Sequence, residues 1–248
     1  MKRASVLLAA VLGMATFALG QQVDPVSTAL DVHGRPSTIR GISTIVLTGT
    51  STMANPIDGL TTPQPIRISA DISGKLRIDY TGRLRRTLIF TSSGSLEKIG
   101  PRTEWKAPHA GAFTQFDLLP VFALKDIAER GGSRSPLTPV SINGRPAAQV
   151  RAKTNRKITA FGRDVPDEVD LGFDQQTGLV SAISRKGLAD RRMDLGFTLT
   201  TTFSDYRPVN AIQFPFRIQR YLDGQLRETI VIEDIQLNPR LDATTFER

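Results

Sequence analysis

Cysteine is missing from this chain altogether. That excludes a disulfide framework, a thiolate nucleophile, a cysteine-bound zinc and a lipobox cysteine that could be acylated. Histidine is nearly as scarce: His33 and His109 stand far apart, neither with a partner at metal-ligand spacing, so a metal centre is not expected. Aromatic residues make up 6% of the chain, too few for the two girdles of a transmembrane β-barrel. Beyond residue 20 no apolar run is long enough to cross a bilayer as a helix. There is no Gly-x-Ser-x-Gly elbow, no phosphate-binding glycine loop and no Gly-x-Gly-x-x-Gly, which removes the common hydrolase and nucleotide signatures. Asp167, Glu168 and Asp170 form a local acidic cluster, which solubility at a strand edge explains as well as catalysis does. No enzyme and no cofactor are expected. Basic residues without interleaved aromatics also argue against nucleic acid as a partner.

What is present begins with an address. Lys2 and Arg3 precede the apolar stretch Val6–Leu19, and Ala18-Leu19-Gly20 offers small residues for cleavage. Residues 1–20 read as a secretory signal peptide cut near Gly20, leaving 21–248 as one soluble domain outside the cytoplasm. The formal charge of +8 includes Lys2 and Arg3, so the chain from Gln21 onward carries +6. Such a surplus favours an anionic membrane surface, and equally describes an ordinary basic soluble protein. Arg151, Lys153, Arg156, Lys157 and Arg163 concentrate part of it on one strand and its loop.

Periodicity then sets the architecture. Asp24-Pro25 starts a short helix that Gly34 stops, and Ser37–Gly41 adds a turn. From Ile42 the pattern has period two, through strands over 42–49, 66–72, 75–80 and 83–91. Strands resume after Val140, with Asn143-Gly144 as a primed turn and Asp174–Gly178 joining Val169–Phe173 to Leu179–Ser184. The C-terminal third is the clearest stretch. Leu195, Phe197, Leu199 and Phe203 alternate with Thr198, Thr200 and Thr202; a turn region is expected over Ser204–Asn210. Phe214–Leu222 and Gln225–Leu237 come next as strands, joined by a two-residue hairpin at Asp223-Gly224. On the last strand Leu226, Ile230 and Ile232 are assigned to one face, and Val231, Ile235 and Leu237 to the other.

One strong helix candidate interrupts the strands. Between Phe113 and Gly131, the positions Phe116, Leu119, Phe122 and Ile127 follow helical spacing, with Pro120 suited to a first turn. Lys125–Glu129 and Asp126–Arg130 are opposite-charge pairs four apart, assigned to the solvent side. The segment reads either as a plain core helix or as a lid over a concave sheet, hinged at Gly131-Gly132.

With these elements in place, Ile42–Thr50, Phe173–Leu179, Phe203–Phe216, Tyr221–Gln225 and Ile235–Phe246 together resemble the outer-membrane lipoprotein-sorting, LolA/LolB-like superfamily. The resemblance implies a mainly β fold: an unclosed antiparallel half-barrel wrapped around one or two helices, with an apolar cavity for acyl chains. Three features depart from relatives. Ala211 replaces a frequent glycine, the Ser93–Trp105 hairpin is altered, and the cavity arginine falls to Arg67, Arg77 or Arg83. The function implied is that of a periplasmic carrier or sensor of an acylated or lipidic ligand, possible cargo including lipoproteins bound for the outer membrane. The cavity candidates are Phe197, Leu199, Phe203, Phe216, Ile218, Ile230, Ile232 and Phe122. Partners would be an acyl chain, lipid or lipoprotein, and beyond it a membrane-bound protein or anionic membrane surface. The alternative is a periplasmic interaction scaffold or stress-sensor module whose cavity is filled by its own side chains.

Overall fold

The computed structural model describes residues 24–54, 62–82, 85–91, 94–106, 115–160, 163–188 and 196–247. The leader assigned to residues 1–20 and the candidate Arg83 lie outside them. Asp24 caps helix α1 (Pro25–His33) through its side chain on the Val26 N–H, and Pro25 takes the first position, where no N–H is needed. A single turn, α2 (Pro36–Arg40), leads into β1 (Thr44–Met53). Then come β2 (Gln64–Asp71), β3 (Leu76–Tyr80), β4 (Arg86–Thr91), β5 (Gly94–Ile99) and β6 (Arg102–Lys106). Helices α3 (Gln115–Leu118) and α4 (Pro120–Arg130) separate these from β7 (Ser133–Ile142), β8 (Arg145–Ala160), β9 (Arg163–Asp174) and β10 (Val180–Leu188). Strands β11 (Gly196–Val209), β12 (Ile212–Leu222) and β13 (Gln225–Leu237) complete the sheet, and a 3-10 turn, Ala243–Phe246, ends the described chain.

The described strands form one antiparallel sheet in the order β6-β5-β4-β3-β2-β1-β13-β12-β11-β10-β9-β8-β7. Every neighbour is adjacent in sequence except β1 and β13, which join the two arms. The edges β6 and β7 do not pair with each other, so the sheet is unclosed. The chain leaves one edge, passes through α3 and α4, and returns at the other. Pro136 and Pro139 on β7 remove backbone donors from that edge, as an exposed edge strand requires.

A single bond reports how strongly the sheet curls. Tyr80 on β3 donates to Glu228 Oε1 on β13 at 2.9 Å, although β2 and β1 lie between them. In a flat sheet those strands would stand about 14 Å apart. Bringing upright side chains together over that span requires the sheet to fold into a trough, and the helices sit in it.

Turn chemistry follows the expected glycines. Asn143-Gly144 and Asp223-Gly224 have positive φ at both positions, as primed hairpins need. The expected turn over Ser204–Asn210 is a correction: β11 continues to Val209, and Asn210-Ala211 makes the hairpin, at φ 49° and 64°. Reading Asp205 and Pro208 as turn formers hid the true turn, because Ala211 carries no turn signal. Alanine is strained in this left-handed region by about 1–2 kcal/mol relative to glycine. Ala211→Gly is therefore expected to stabilise the fold by about 1 kcal/mol, raising Tm by about 2–4 °C in calorimetry.

A second correction concerns β13. Its register against β1 shifts between Thr48 and Gly49, so that Glu233 is an extra residue on β13. This β-bulge turns Ile235 to the same apolar core as Ile230 and Ile232, while Val231 is 39% exposed. The expected helix is also split. Leu119 is extended (φ −124°, ψ 91°), because the residue before a proline is driven out of the helical region, so α3 ends and α4 starts afresh at Pro120.

Candidate functional site: an apolar trough covered by two helices

The inner face of the sheet and the helices share one continuous apolar core. It runs from Ile68 and Ile78 in one arm to Val169 and Leu171 in the other. The first turns of helix α4 are buried on nearly every side, whereas Ala128 and Glu129 in its last turn are exposed: Val121, Phe122, Leu124 and Ile127 are core residues, and Phe122 is 0% exposed. Of the expected cavity residues, Phe122, Phe203, Phe216, Ile218, Ile230 and Ile232 meet in this core, and Leu199 packs against it half-buried. Phe197 is half-buried outside it; a methyl group at Gly187, its cross-strand partner, would overlap its ring. On the β4 arm, Leu88 and Phe90 are only partly buried against the same core.

Three polar sets fasten this apolar interior. The first is Arg185 on β10. It shares a face with Leu199, its cross-strand partner, and so points into the trough. Its Nε donates to Asp117 Oδ1 of α3 at 2.6 Å, and its Nη1 to Asp167 Oδ1 of β9. Burial alone would lower the guanidinium pKa, but the two carboxylates outweigh it and raise it further. Arg185 thus ties α3 to the sheet. Asp167, expected as a solvated edge acid, is instead 0% exposed. The sequence neighbours Ser184 and Lys186 give no hint of this, and Asp117 lies 68 residues away.

The second set closes the trough between β3 and β13. Glu228, 1% exposed, accepts from Ser51 Oγ at 2.6 Å, from the Tyr80 hydroxyl, and from Arg220 Nη1 at 2.5 Å. Burial, and then the Glu228 charge, push the Tyr80 hydroxyl pKa up, so it stays a donor.

The third set is His33, at the end of α1. Its Nδ1 donates to the Gln213 carbonyl at 3.1 Å, and its Nε2 accepts the Val180 N–H at 3.2 Å. Tyr206 packs edge-on to the ring and donates to the Val180 carbonyl at 2.6 Å. This arrangement needs neutral imidazole, since a second ring proton would face the Val180 N–H. Burial lowers the His33 pKa from 6.5 to about 4, opposed by the Gln213 bond. Between those values the unfolded chain binds the proton more readily, so stability is full above pH 6.5 and falls as pH drops towards 4. The expected loss is about 3 kcal/mol across the window. Urea denaturation at several pH values will show it, and His33→Gln will flatten that part of the profile.

Other expected charges fall elsewhere. Arg67 is exposed, and Arg77 bonds Asp79 and the Thr245 carbonyl beside the terminal 3-10 turn. Ser69 and Ile89, cross-strand partners of Arg77, share its face and lie outside the trough's core. Neither arginine enters the trough. Arg151 pairs with Asp170 and Lys153 with Glu168, so these two cations of the basic cluster are neutralised across β8 and β9. The side chains of Arg156, Lys157 and Arg163 lie outside the described set. Lys125 is not on the solvent side: it is 8% exposed and its ammonium donates to the Arg40 carbonyl at 3.0 Å. Among the described residues, no group of three or more His, Cys, Asp or Glu could hold a metal, and no helix is long and apolar enough to cross a membrane.

An unclosed, strongly curled antiparallel sheet with helices in its trough has solved counterparts. A domain from Vibrio parahaemolyticus described as outer membrane lipoprotein-sorting aligns over 90% of this chain and 97% of its own, with a TM-score of 0.53 at 11% identity. This chain has the LolA/LolB-like fold. A LolA superfamily protein from Nitrosomonas europaea superposes on it equally, with a TM-score of 0.53 at 10% identity over 90% of this chain and 96% of that one. A DUF1329 family protein from Desulfovibrio piger gives 0.52 at 9% identity, over 90% and 98%. No protein-family model and no curated protein matches the chain in sequence. At these identities the likeness concerns the LolA/LolB-like fold alone.

Proposed function

We propose that the protein is a non-enzymatic periplasmic carrier or sensor that takes the apolar tail of an acylated or lipidic ligand into the trough beneath α4. In this reading residues 1–20 are a cleaved secretory leader, and residues 21–248 form one half-barrel unit. The observation that carries it is the character of the cover. Helices α3 and α4 occupy the apolar trough, yet side chains fasten them: Arg185 to Asp117, and Lys125 to the Arg40 carbonyl. Gly131 and Gly132, both at positive φ, follow α4 and provide the pivot. Each methylene of a ligand tail placed there would contribute about 0.8 kcal/mol, against the cost of moving the helices.

A second reading rests on the same helix. Val121, Phe122 and Leu124 are wholly buried, which also suits a self-filled scaffold or sensor module whose work is done on its outer surface. Titration with a fluorescent fatty-acyl probe separates the two. Saturable uptake of one probe per chain, displaced by an unlabelled acyl chain, supports the carrier. A folded protein that shows no saturable uptake overturns it and leaves the scaffold.

A further inference from the structure

Among the described side chains of α4, Lys125 is the buried charge that its surroundings leave poorly matched. It sits between Leu124 and Ile127, both core residues, and is itself more than nine-tenths buried. An ammonium can donate three hydrogen bonds. Among the described residues Lys125 makes one, to the neutral Arg40 carbonyl at the end of α2, and no carboxylate lies within ion-pair distance. The contrast with the other buried charges is sharp. Arg185 has Asp117 and Asp167, and Glu228 has Arg220. A buried cation held only by a carbonyl dipole is costly, and an anion beside it would offset that cost. The Arg40 side chain is exposed at the same helix end, and Arg35 is exposed at the start of α2. Ile39 and Ile42, flanking this point, belong to the apolar core. Cationic groups therefore meet the apolar trough where α2 approaches α4.

We infer that Lys125 receives the anionic head of an amphiphile, a carboxylate or phosphate, whose tail enters the trough. This rests on the carrier reading and adds the charge of the ligand to it. Moving α4 to admit a tail moves Lys125 with it, which exchanges the Arg40 carbonyl for the stronger anionic acceptor.

The test compares three single-chain ligands sharing one oleoyl tail, by displacement of a fluorescent acyl probe. Oleate offers a free carboxylate, oleoyl lysophosphatidate a lipid phosphate, and monooleoylglycerol a neutral head. Inorganic phosphate alone serves as the control for a head without a tail. The wild type is expected to bind one or both anionic ligands at least tenfold more tightly than monooleoylglycerol, and whichever is preferred identifies the head. Lys125→Met should reduce the preference, read as the ratio of anionic to neutral affinity in the same protein, to less than threefold and keep the native circular dichroism spectrum; loosening of the cover acts on all three lipids alike and cancels in that ratio. Lys125→Arg should retain the preference. Equal binding of all three lipids by the wild type would overturn the head-group site and leave the carrier reading standing. Binding of none would overturn both. A preference that survives in a folded Lys125→Met protein would move the head away from Lys125.

Discussion

Phe122→Ala is expected to bind a fluorescent fatty-acyl probe more tightly than the wild type while unfolding more easily. Both effects follow from one side chain. Phe122 is fully buried in the trough, so truncation removes its packing and leaves a cavity, a loss of about 3–5 kcal/mol. If α4 and the ligand tail compete for the same space, part of that loss falls on the closed state alone. A share of about 1.4 kcal/mol raises apparent affinity about tenfold, because a larger fraction of molecules is competent to bind. A core helix with no lid role predicts the stability loss without the gain. The comparison must be made below the melting temperature of the variant. Unchanged or weaker probe binding by folded Phe122→Ala protein would rule out a lid.

Arg185→Met should be among the most destabilising single changes in the protein, at about 3–5 kcal/mol in urea denaturation. Methionine fills the volume but leaves Asp117 and Asp167 buried without the guanidinium that holds them. The cost lies in the charges left behind rather than in a missing contact. Accordingly, Arg185→Met combined with Asp117→Leu and Asp167→Leu should recover most of the loss, since a well-packed apolar set often equals a buried ionic one. A deficit under about 1 kcal/mol for the single variant would mean that other partners or water hold the carboxylates without Arg185. The same arginine fixes α3 to β9 and β10, so its loss also weakens one fastening of the helical cover.

The fold was legible wherever a local signal has one dominant meaning. Asp24-Pro25 and Gly34 mark α1, and Asp223-Gly224 places the β12–β13 hairpin at the observed residues. Phe216 and Ile218, expected on an inner face, do lie in the core, and Phe214 joins them there. What escaped depends on partners distant in the chain or on single-residue irregularities. The extra residue at Glu233 has no compositional mark, yet it carries Ile235 into the core. Ala211 turns the chain because β11 and β12 are already paired on either side of it. Pro120 did signal a helix start, but the apolar spacing of Phe116, Leu119 and Phe122 bridged the break. Charged residues misled most. Asp167 reads as a solvated edge acid and Lys125 as half of a solvent-side pair, and only tertiary structure carries them, with Arg185, inside.

Native mass spectrometry of the protein, released from the periplasm of expressing cells without detergent or denaturant, tests the central claim most directly. One adduct of lipid mass per chain is expected. The adduct should be lost on extraction with organic solvent and replaced when the extracted, refolded protein is given an oleoyl amphiphile. A bare chain mass from the periplasm, together with no adduct after exposure to acyl ligands, would contradict the carrier: the trough would then be filled by α4 alone.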